Sequence, residues 1–226
     1  MIAVLALVAA TFDVASIKPS RIEREGGENS RREHVAVSPT GVTMLNVSLS
    51  YCIQWAYSVK FYQVEGPDWV KQQRYEIVAK TEQPVSTADL RIMLQALLTD
   101  RFKLKLRRES KSKPIYAVVA RKKLLPARTS GTATFAVVDG SFVFDHTTMA
   151  EFAERLSDLS AIDRPVIDKT GLEGSYDITL KSAARAMLAE PSSIFTAIVD
   201  AGLKLEPRHG AVETFVVEQA EAPSPN

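Results

Sequence analysis

Apolar and polar residues alternate along some stretches of the chain and recur every three or four residues along others, and the switches between the two periods mark its elements. "GVTMLNV", from Gly41, alternates as a strand. Ser48 then stands where it can cap a helix in which Leu49, Cys52, Ile53, Ala56 and Tyr57 share one face. After the turn "EGPDW" comes a second alternating strand, "RYEIVAK". Ser86 and Asp89 follow as a capping-box-like start to a helix whose Leu90, Met93, Leu94, Leu97 and Leu98 form one apolar stripe. "FKLKLRRE" and "PIYAVVARK" read as two strands of a hairpin, separated by the polar "SKSK".

This order then recurs. "SFVFDH" is a strand, and Thr148 with Glu151 opens a helix with Met149, Phe152, Ala153 and Leu156 inward. "RPVIDKT" and "GSYDITLKS" read as a strand pair. A short helix starts near Pro191, and "LKLEPR" with "VETFVVEQA" reads as a closing hairpin. Tyr75-Glu76-Ile77 matches Tyr176-Asp177-Ile178, and Phe102-Lys103-Leu104 matches Leu203-Lys204-Leu205, both displaced by 101 positions. The expected fold is α+β: two related strand-helix-strand-strand-helix-strand-strand halves with small mixed or antiparallel sheets, each covered by helices. The halves span 40–123 and 132–226, joined by a linker at 124–131. Residues 11–39 hold an N-terminal strand and a mobile charged loop in which Arg31 and Arg32 lie.

Composition narrows the functional classes. The chain has 226 residues, 46% of them hydrophobic and 24% charged, as in an ordinary globular protein able to bury a core. A formal net charge of +1 supplies no global field for nucleic acid or anionic lipid, so partners must be recognised locally. The opening "MIAVLALVAA", residues 1–10, reads as a shortened signal peptide, with a buried first strand as the other reading. No other run approaches the roughly 18 apolar residues of a membrane helix. An exported protein, periplasmic or secreted, without membrane insertion and monomeric, is expected.

Cys52, the single cysteine, sits at helical spacing among apolar residues and reads as a buried thiol. The three histidines, His34, His146 and His209, show no ligand spacing. Asp145 beside His146 is the nearest thing to a catalytic grouping, although residues there also suit a helix cap. Asp168 opens the tetrapeptide Asp-Lys-Thr-Gly, as in phosphorylated cation pumps, but lies between two strands where Gly171 and Gly174 suit a hairpin connection. Asp163, Asp168, Glu173 and Asp177 could offer oxygen ligands to calcium, without the spacing of a calcium-binding loop. No cofactor is expected, with calcium or zinc as the alternatives. Tyr51, Trp55, Tyr57, Phe61 and Tyr62, followed by Trp69, make a dense aromatic group. Tyr51, Trp55 and Ser58 fall on a different helix side from Leu49, Ile53 and Ala56. Tyr51, Trp55, Tyr62 and Trp69 are therefore the candidate binding residues, and filling an interface between the halves is the other reading. The basic run Lys103, Lys105, Arg107 and Arg108 could meet an anionic partner.

As a set, "FDVASIKPS", "NVSLSYCIQWAYSV", "GPDW", "RYEIVAK", "LRIMLQALLTDRFKLKLRRE", "PIYAVVARK", "RPVIDKTGLEGSYDITL", "SIFTAIVDAGLKLEPR" and "VETFVVEQAEAPSPN" resemble the Solibacter-type family of uncharacterised, mostly exported acidobacterial proteins. The resemblance runs from Phe12 to Asn226. It implies no established reaction. Similar domains occur fused to membrane metallopeptidases of the beta-lactam-sensor type, which implies an extracytoplasmic sensory or binding role. The strand-helix-strand-strand unit is also similar to the short N-terminal domains of secretins and TonB-dependent receptors, which are interaction modules. The function expected is an exported binding or sensory module for a protein, peptide or small-molecule ligand of the envelope. A small hydrolase of esters or lactones is the alternative.

Overall fold

The structure, a computed structural model, describes residues 11–20, 33–127, 131–190 and 192–223. The decapeptide 1–10, Arg31, Arg32 and Pro191 lie outside them. The fold is α+β, in two compact units. One comprises residues up to Ser110 together with those from Glu213 onward, and the other is Lys111–Val212.

The first unit contains β1 (Val14–Pro19), β2 (His34–Ser38), β3 (Gly41–Ser48), α1 (Leu49–Tyr57), β4 (Val64–Glu65), α2 (Trp69–Gln72), β5 (Arg74–Lys80) and α3 (Thr87–Phe102). Strands β1, β5, β3 and β2 form an antiparallel sheet in that order. Its core joins Ile17, Met44, Val47 and Ile77 of the sheet to Leu49, Cys52 and Ile53 of α1 and Leu94, Leu98 and Phe102 of α3. The predicted stripes are the buried ones. Leu90, Met93, Leu94 and Leu98 are all buried on α3, while Leu97 is half-buried.

Two predicted hairpins are instead single long strands, β6 (Lys105–Ala120) and β11 (Leu203–Gln219). A two-residue hairpin needs positive φ, usually from Gly or Asn, and "SKSK" supplies neither. Gly210 does not turn the chain: a Cβ there would lie 2.6 Å from Ile115 Cδ1, so its missing side chain admits the close approach of Ile115. Both unit boundaries fall inside these strands, at Ser110/Lys111 and Val212/Glu213. No residue is buried across 107–114 of β6 or 206–211 of β11. The core of each unit therefore stops where these strands carry no buried residue. The last segment of β11 thus belongs to the first unit rather than to the half 132–226 read from the sequence.

The second unit contains β7 (Thr134–Val138), β8 (Ser141–Thr147), α4 (Met149–Ser157), β9 (Val166–Asp168), β10 (Tyr176–Leu180), α5 (Ala183–Ala189) and α6 (Ser193–Asp200). Strands β10, β8 and β7 form an antiparallel sheet. Strand β9 pairs in parallel with β6, Tyr116 opposite Val166, and β4 pairs in parallel with β11, Phe215 opposite Val64. Since β9 and β10 belong to different sheets, the loop from Asp168 to Gly174 is a crossover, not the hairpin turn its glycines suggest. Gly171 and Gly174 do adopt positive φ, 69° and 84°.

The duplication is carried by geometry. Hairpin β2–β3 pairs Val35 with Met44, and β7–β8 pairs Phe135 with Phe144, a displacement of 100. Each following strand meets a bulge: Leu45 and Asn46 sit opposite Glu76, and Asp145 and His146 opposite Asp177. The bulged residues Asn46 and His146 share a left-handed φ, 53° and 51°. Ser48 and Thr148 then cap the two equivalent helices. The match of Phe102-Lys103-Leu104 to Leu203-Lys204-Leu205 is not one of equivalent places, because Phe102 ends α3 whereas Leu203 begins β11.

Candidate functional site

Helix α1 separates its faces sharply. Ser48 Oγ accepts from the Tyr51 N–H at 3.1 Å, and Ser48 itself donates through N and Oγ to Glu33 Oε1 at 3.0 and 2.7 Å. That anchored start fixes the rotation of the helix, so Leu49, Cys52, Ile53 and Ala56 face inward. Tyr51, Gln54, Trp55 and Ser58 are left on the other side, where they line a cavity of about 380 Å³ with Val59, Lys60 and Arg91.

Arg91 comes from α3, the helix packed beside α1. Gln95 of α3 donates its Nε2 to the Ala56 carbonyl at 2.8 Å and ties the two helices together. Arg91 lies over the Trp55 ring, its Cζ 5.3 Å from the centroid, and donates through one terminal nitrogen to Ser58 Oγ. Its Nε is buried and meets no acceptor among the described residues. Burial, and after it the charge of Glu33, raises the Tyr51 hydroxyl above its ordinary value. The groove thus combines two cations with two half-buried aromatic rings on rigid helices.

Of the four aromatic candidates, Tyr51 and Trp55 meet in this groove. Tyr62 instead stands edge-on to Phe61, ring centroids 5.2 Å apart, and Trp69 packs half-buried against the first core. Tyr57 turns to Phe215, at 5.5 Å. Lys60 and Arg91 were not among the residues singled out by sequence. Arg91 reads there as an ordinary polar residue between Leu90 and Ile92, and only the packing of α3 beside α1 brings it to Trp55. The basic run is engaged elsewhere. Lys103 meets Asp100, Arg107 pairs with Glu109 and Glu218, and Arg108 lies over Phe215.

The second unit carries a cavity of about 320 Å³ on the equivalent face of the equivalent helix, where Glu151, Glu154, Arg155 and Asp158 replace Tyr51, Gln54, Trp55 and Ser58. Its chemistry is different. Glu151 is occupied in a capping box, its Oε2 accepting from Thr148 N and Oγ1, both at 2.9 Å, and these bonds, the backbone one first, hold its carboxyl below the usual value. Arg155 is drawn over Phe135.

The remaining candidates have local engagements. Asp168 Oδ1 accepts from Thr170 N and Oγ1, both at 2.8 Å, an Asx turn that starts the crossover loop. Asp163 is bound by Arg164 through two contacts, 3.0 and 2.6 Å, which hold its carboxyl low. Asp177 Oδ1 accepts from His146 N at 2.9 Å, and the Glu173 carbonyl accepts from the Tyr176 hydroxyl. Among the described residues no three His, Cys, Asp or Glu side chains are grouped to hold a metal ion. Asp145 is exposed, as are His34 and His209 in β2 and β11. Cys52 is fully buried, and burial pushes its thiol up, away from thiolate chemistry.

The left-handed φ of His146 is set by the bulge, since Asn46 repeats it in the first unit. His146→Val is therefore expected to cost at least about 1 kcal/mol, because a β-branched side chain is strained at that φ, whereas His146→Gly stays much closer to the parent. Urea unfolding of the two variants checks this. Equal losses would mean that the imidazole, not the backbone, matters there.

Residues 50–220, more than half of the chain, match a family described as Protein of unknown function (DUF3738). The chain belongs to that family. No curated protein and no solved structure matches it. The DUF3738 match starts at Ser50, inside α1, and ends at Ala220, just past β11. In this DUF3738 protein it therefore includes every residue lining the α1–α3 groove, together with both long strands. It leaves out β1, β2 and β3, the strands that with β5 form the sheet beneath α1.

Proposed function

We propose that the protein is an exported binding module, periplasmic or secreted, which takes a protein, peptide or small-molecule ligand of the envelope in the groove between α1 and α3. One observation carries this reading. Trp55 and Tyr51 stand half-exposed beside Arg91 in a cavity of ligand size, on helices whose opposite faces are fully buried. Aromatic and arginine side chains in such settings supply most of the affinity in known interfaces. Export is supported by the apolar decapeptide 1–10 and by the resemblance to mostly exported acidobacterial proteins. Among the described residues no helix is long and apolar enough to cross a membrane. The near-neutral chain gives nucleic acid no general attraction. Among the described residues no comparable grouping favours a hydrolase of small esters or lactones: His146 and Asp168 are tied into backbone geometry, and Asp145 is exposed.

A thermal-shift screen of the protein against envelope-derived peptides, glycan fragments and small metabolites tests the reading, since a ligand bound only by the native state raises the midpoint by mass action. Trp55→Ala is expected to keep the fold and weaken binding of any hit at least about tenfold. Trp69→Ala, which touches the core but not the groove, is expected to lower the midpoint and leave affinity within about twofold of the parent. A hit whose affinity follows Trp69 and ignores Trp55 would place the site elsewhere.

A further inference from the structure

We infer that the protein, expected from its sequence to be monomeric, pairs with a second copy of itself through strand β7, in antiparallel register about a twofold axis at Ala136. β7 ends the sheet β10-β8-β7, with no neighbour on its outer side among the described strands. Native edge strands are usually blunted by lysine, proline, a bulge or a covering segment. Thr134–Val138 holds no charged residue and no proline, and it pairs with β8 without a bulge. Phe135, Val137 and Val138 are 38%, 59% and 50% exposed. The equivalent edge of the first unit, β2, is more polar. His34 and Ser38 stand there in place of Thr134 and Val138, and Val35, half-buried against the first core, in place of Phe135. The duplicated frame therefore does not require the apolar edge that the second repeat carries.

The shape of this edge selects a second copy. Phe135 packs on Phe142 and Phe144, ring centroids 5.8 and 4.9 Å away, and Val137, opposite Phe142, lies on the same face of the sheet. Arg155 of α4 lies over the Phe135 ring. Beside Val137 there is instead a cavity of about 500 Å³, bounded by Ala184 and Arg185 of α5. A twofold axis at Ala136, normal to the sheet, sets Phe135 of each copy opposite Val137 of the other on that face. Each large ring then falls beside the smaller side chain, where the space is. Thr134 meets Val138 on the other face and Ala136 meets itself, so no charged or bulky side chain opposes its own kind. A strand from another protein has to bring this alternation of large and small, whereas β7 carries it in itself. The pairing adds main-chain hydrogen bonds and joins two three-stranded sheets into one of six.

Sedimentation velocity of the full chain between about 1 μM and 1 mM tests the inference, and a short edge contact is expected to give a weak dimer with a dissociation constant of about 10–500 μM. Ala136→Lys and Ala136→Glu, at a position exposed in the single chain, each set like charges opposite one another and are expected to weaken the dimer at least about fivefold. An equimolar mixture of the two variants sets the lysine of one opposite the glutamate of the other. It is expected to associate at least about fivefold more tightly than either variant alone. Urea unfolding keeps folding and pairing apart, since both variants should unfold near the midpoint of the dilute parent. A folded parent chain that stays monomeric at about 1 mM overturns the proposal and leaves β7 open to a strand from another protein. A dimer that neither variant weakens, or a mixture of folded variants that does not recover it, overturns pairing at Ala136.

Discussion

Ending the chain at Val212 is expected to unfold the first unit, although every residue removed lies more than a hundred positions after the helices that shape its groove. The final segment of β11 is part of that unit's core. Thr214, Phe215 and Val217 are buried, Phe215 packs on Tyr57 and under Arg108, and the Glu221 N–H donates to the Phe102 carbonyl at 2.7 Å. The same segment gives β4 its strand neighbour, Phe215 opposite Val64 and Val216 opposite Glu65. Full burial of a valine or phenylalanine contributes about 1.5–3 kcal/mol each. Losing both, with the buried Val64 uncovered beside them, removes a large part of the 5–15 kcal/mol typical of a domain. Both tryptophans, Trp55 and Trp69, belong to the first unit, so intrinsic tryptophan emission during urea unfolding reports it without interference. An unchanged midpoint in the truncated chain would show that β11 ends, energetically, before Glu213.

The reason for this dependence is the way the repeats share strands. Apart from the short helices α2 in the first and α5 in the second, each repeat runs hairpin, helix, short strand, strand, helix, long strand: β2-β3-α1-β4-β5-α3-β6 and then β7-β8-α4-β9-β10-α6-β11. The short strand of each pairs in parallel with the long strand of the other, β4 with β11 and β9 with β6. A parallel partner cannot be supplied by a tight turn and must come from a distant segment. The duplicated sequence therefore does not give two self-sufficient pieces of chain. Each compact unit is closed by a strand end that the other repeat contributes to it.

Local signals in the sequence were sufficient for whatever local physics decides. The stripes of α1, α3 and α4 and the caps at Ser48, Ser86 and Thr148 depend on residues within one helical turn, and each is where the periodicity places it. The recurrence of Tyr75-Glu76-Ile77 in Tyr176-Asp177-Ile178 was legible for the same reason, since both triplets face a bulge that leaves the central acid opposite two residues. Partner choice was not legible. "RPVIDKT" and "GSYDITLKS" alternate as strands, but alternation does not say which sheet receives them, and the crossover between them looks like a turn because Gly171 and Gly174 serve either purpose. β7 escaped notice because all five of its residues are exposed, so burial imposes no pattern on "TFAVV". Of the groove, Tyr51 and Trp55 were visible as an off-face pair on α1. Arg91, which completes it, lies 36 positions away from Trp55 and reaches the groove only through the packing of two helices.

Phe152→Ala is expected to cost the second unit about 3–5 kcal/mol, the range for emptying a buried phenylalanine site that cannot collapse. Phe152 is fully buried on α4 and stands edge-on to Phe144, with ring centroids 4.8 Å apart and an interplanar angle of 72°. Phe144 is itself locked against Phe135, at 4.9 Å. The vacated space is bounded by Phe144 and the other buried residues of the second core, so it can collapse only in part. The equivalent place in the first unit holds Cys52, also fully buried, whose Sγ touches Met44 Sδ at 4.0 Å. Cys52→Ala removes one atom beside a flexible thioether and is expected to cost only about 1 kcal/mol. Amide hydrogen exchange reads the first effect where tryptophan cannot: protection of α4 and β8 should fall by about two to four orders of magnitude in Phe152→Ala, while the tryptophan-reported midpoint of Cys52→Ala moves little. Similar losses in the two variants would mean that the duplicated helices are held by a common backbone arrangement. The expected contrast means instead that each copy has its own packing solution on a shared frame, and this is how the same helix face came to carry an aromatic and basic groove in one unit and a carboxylate-lined one in the other.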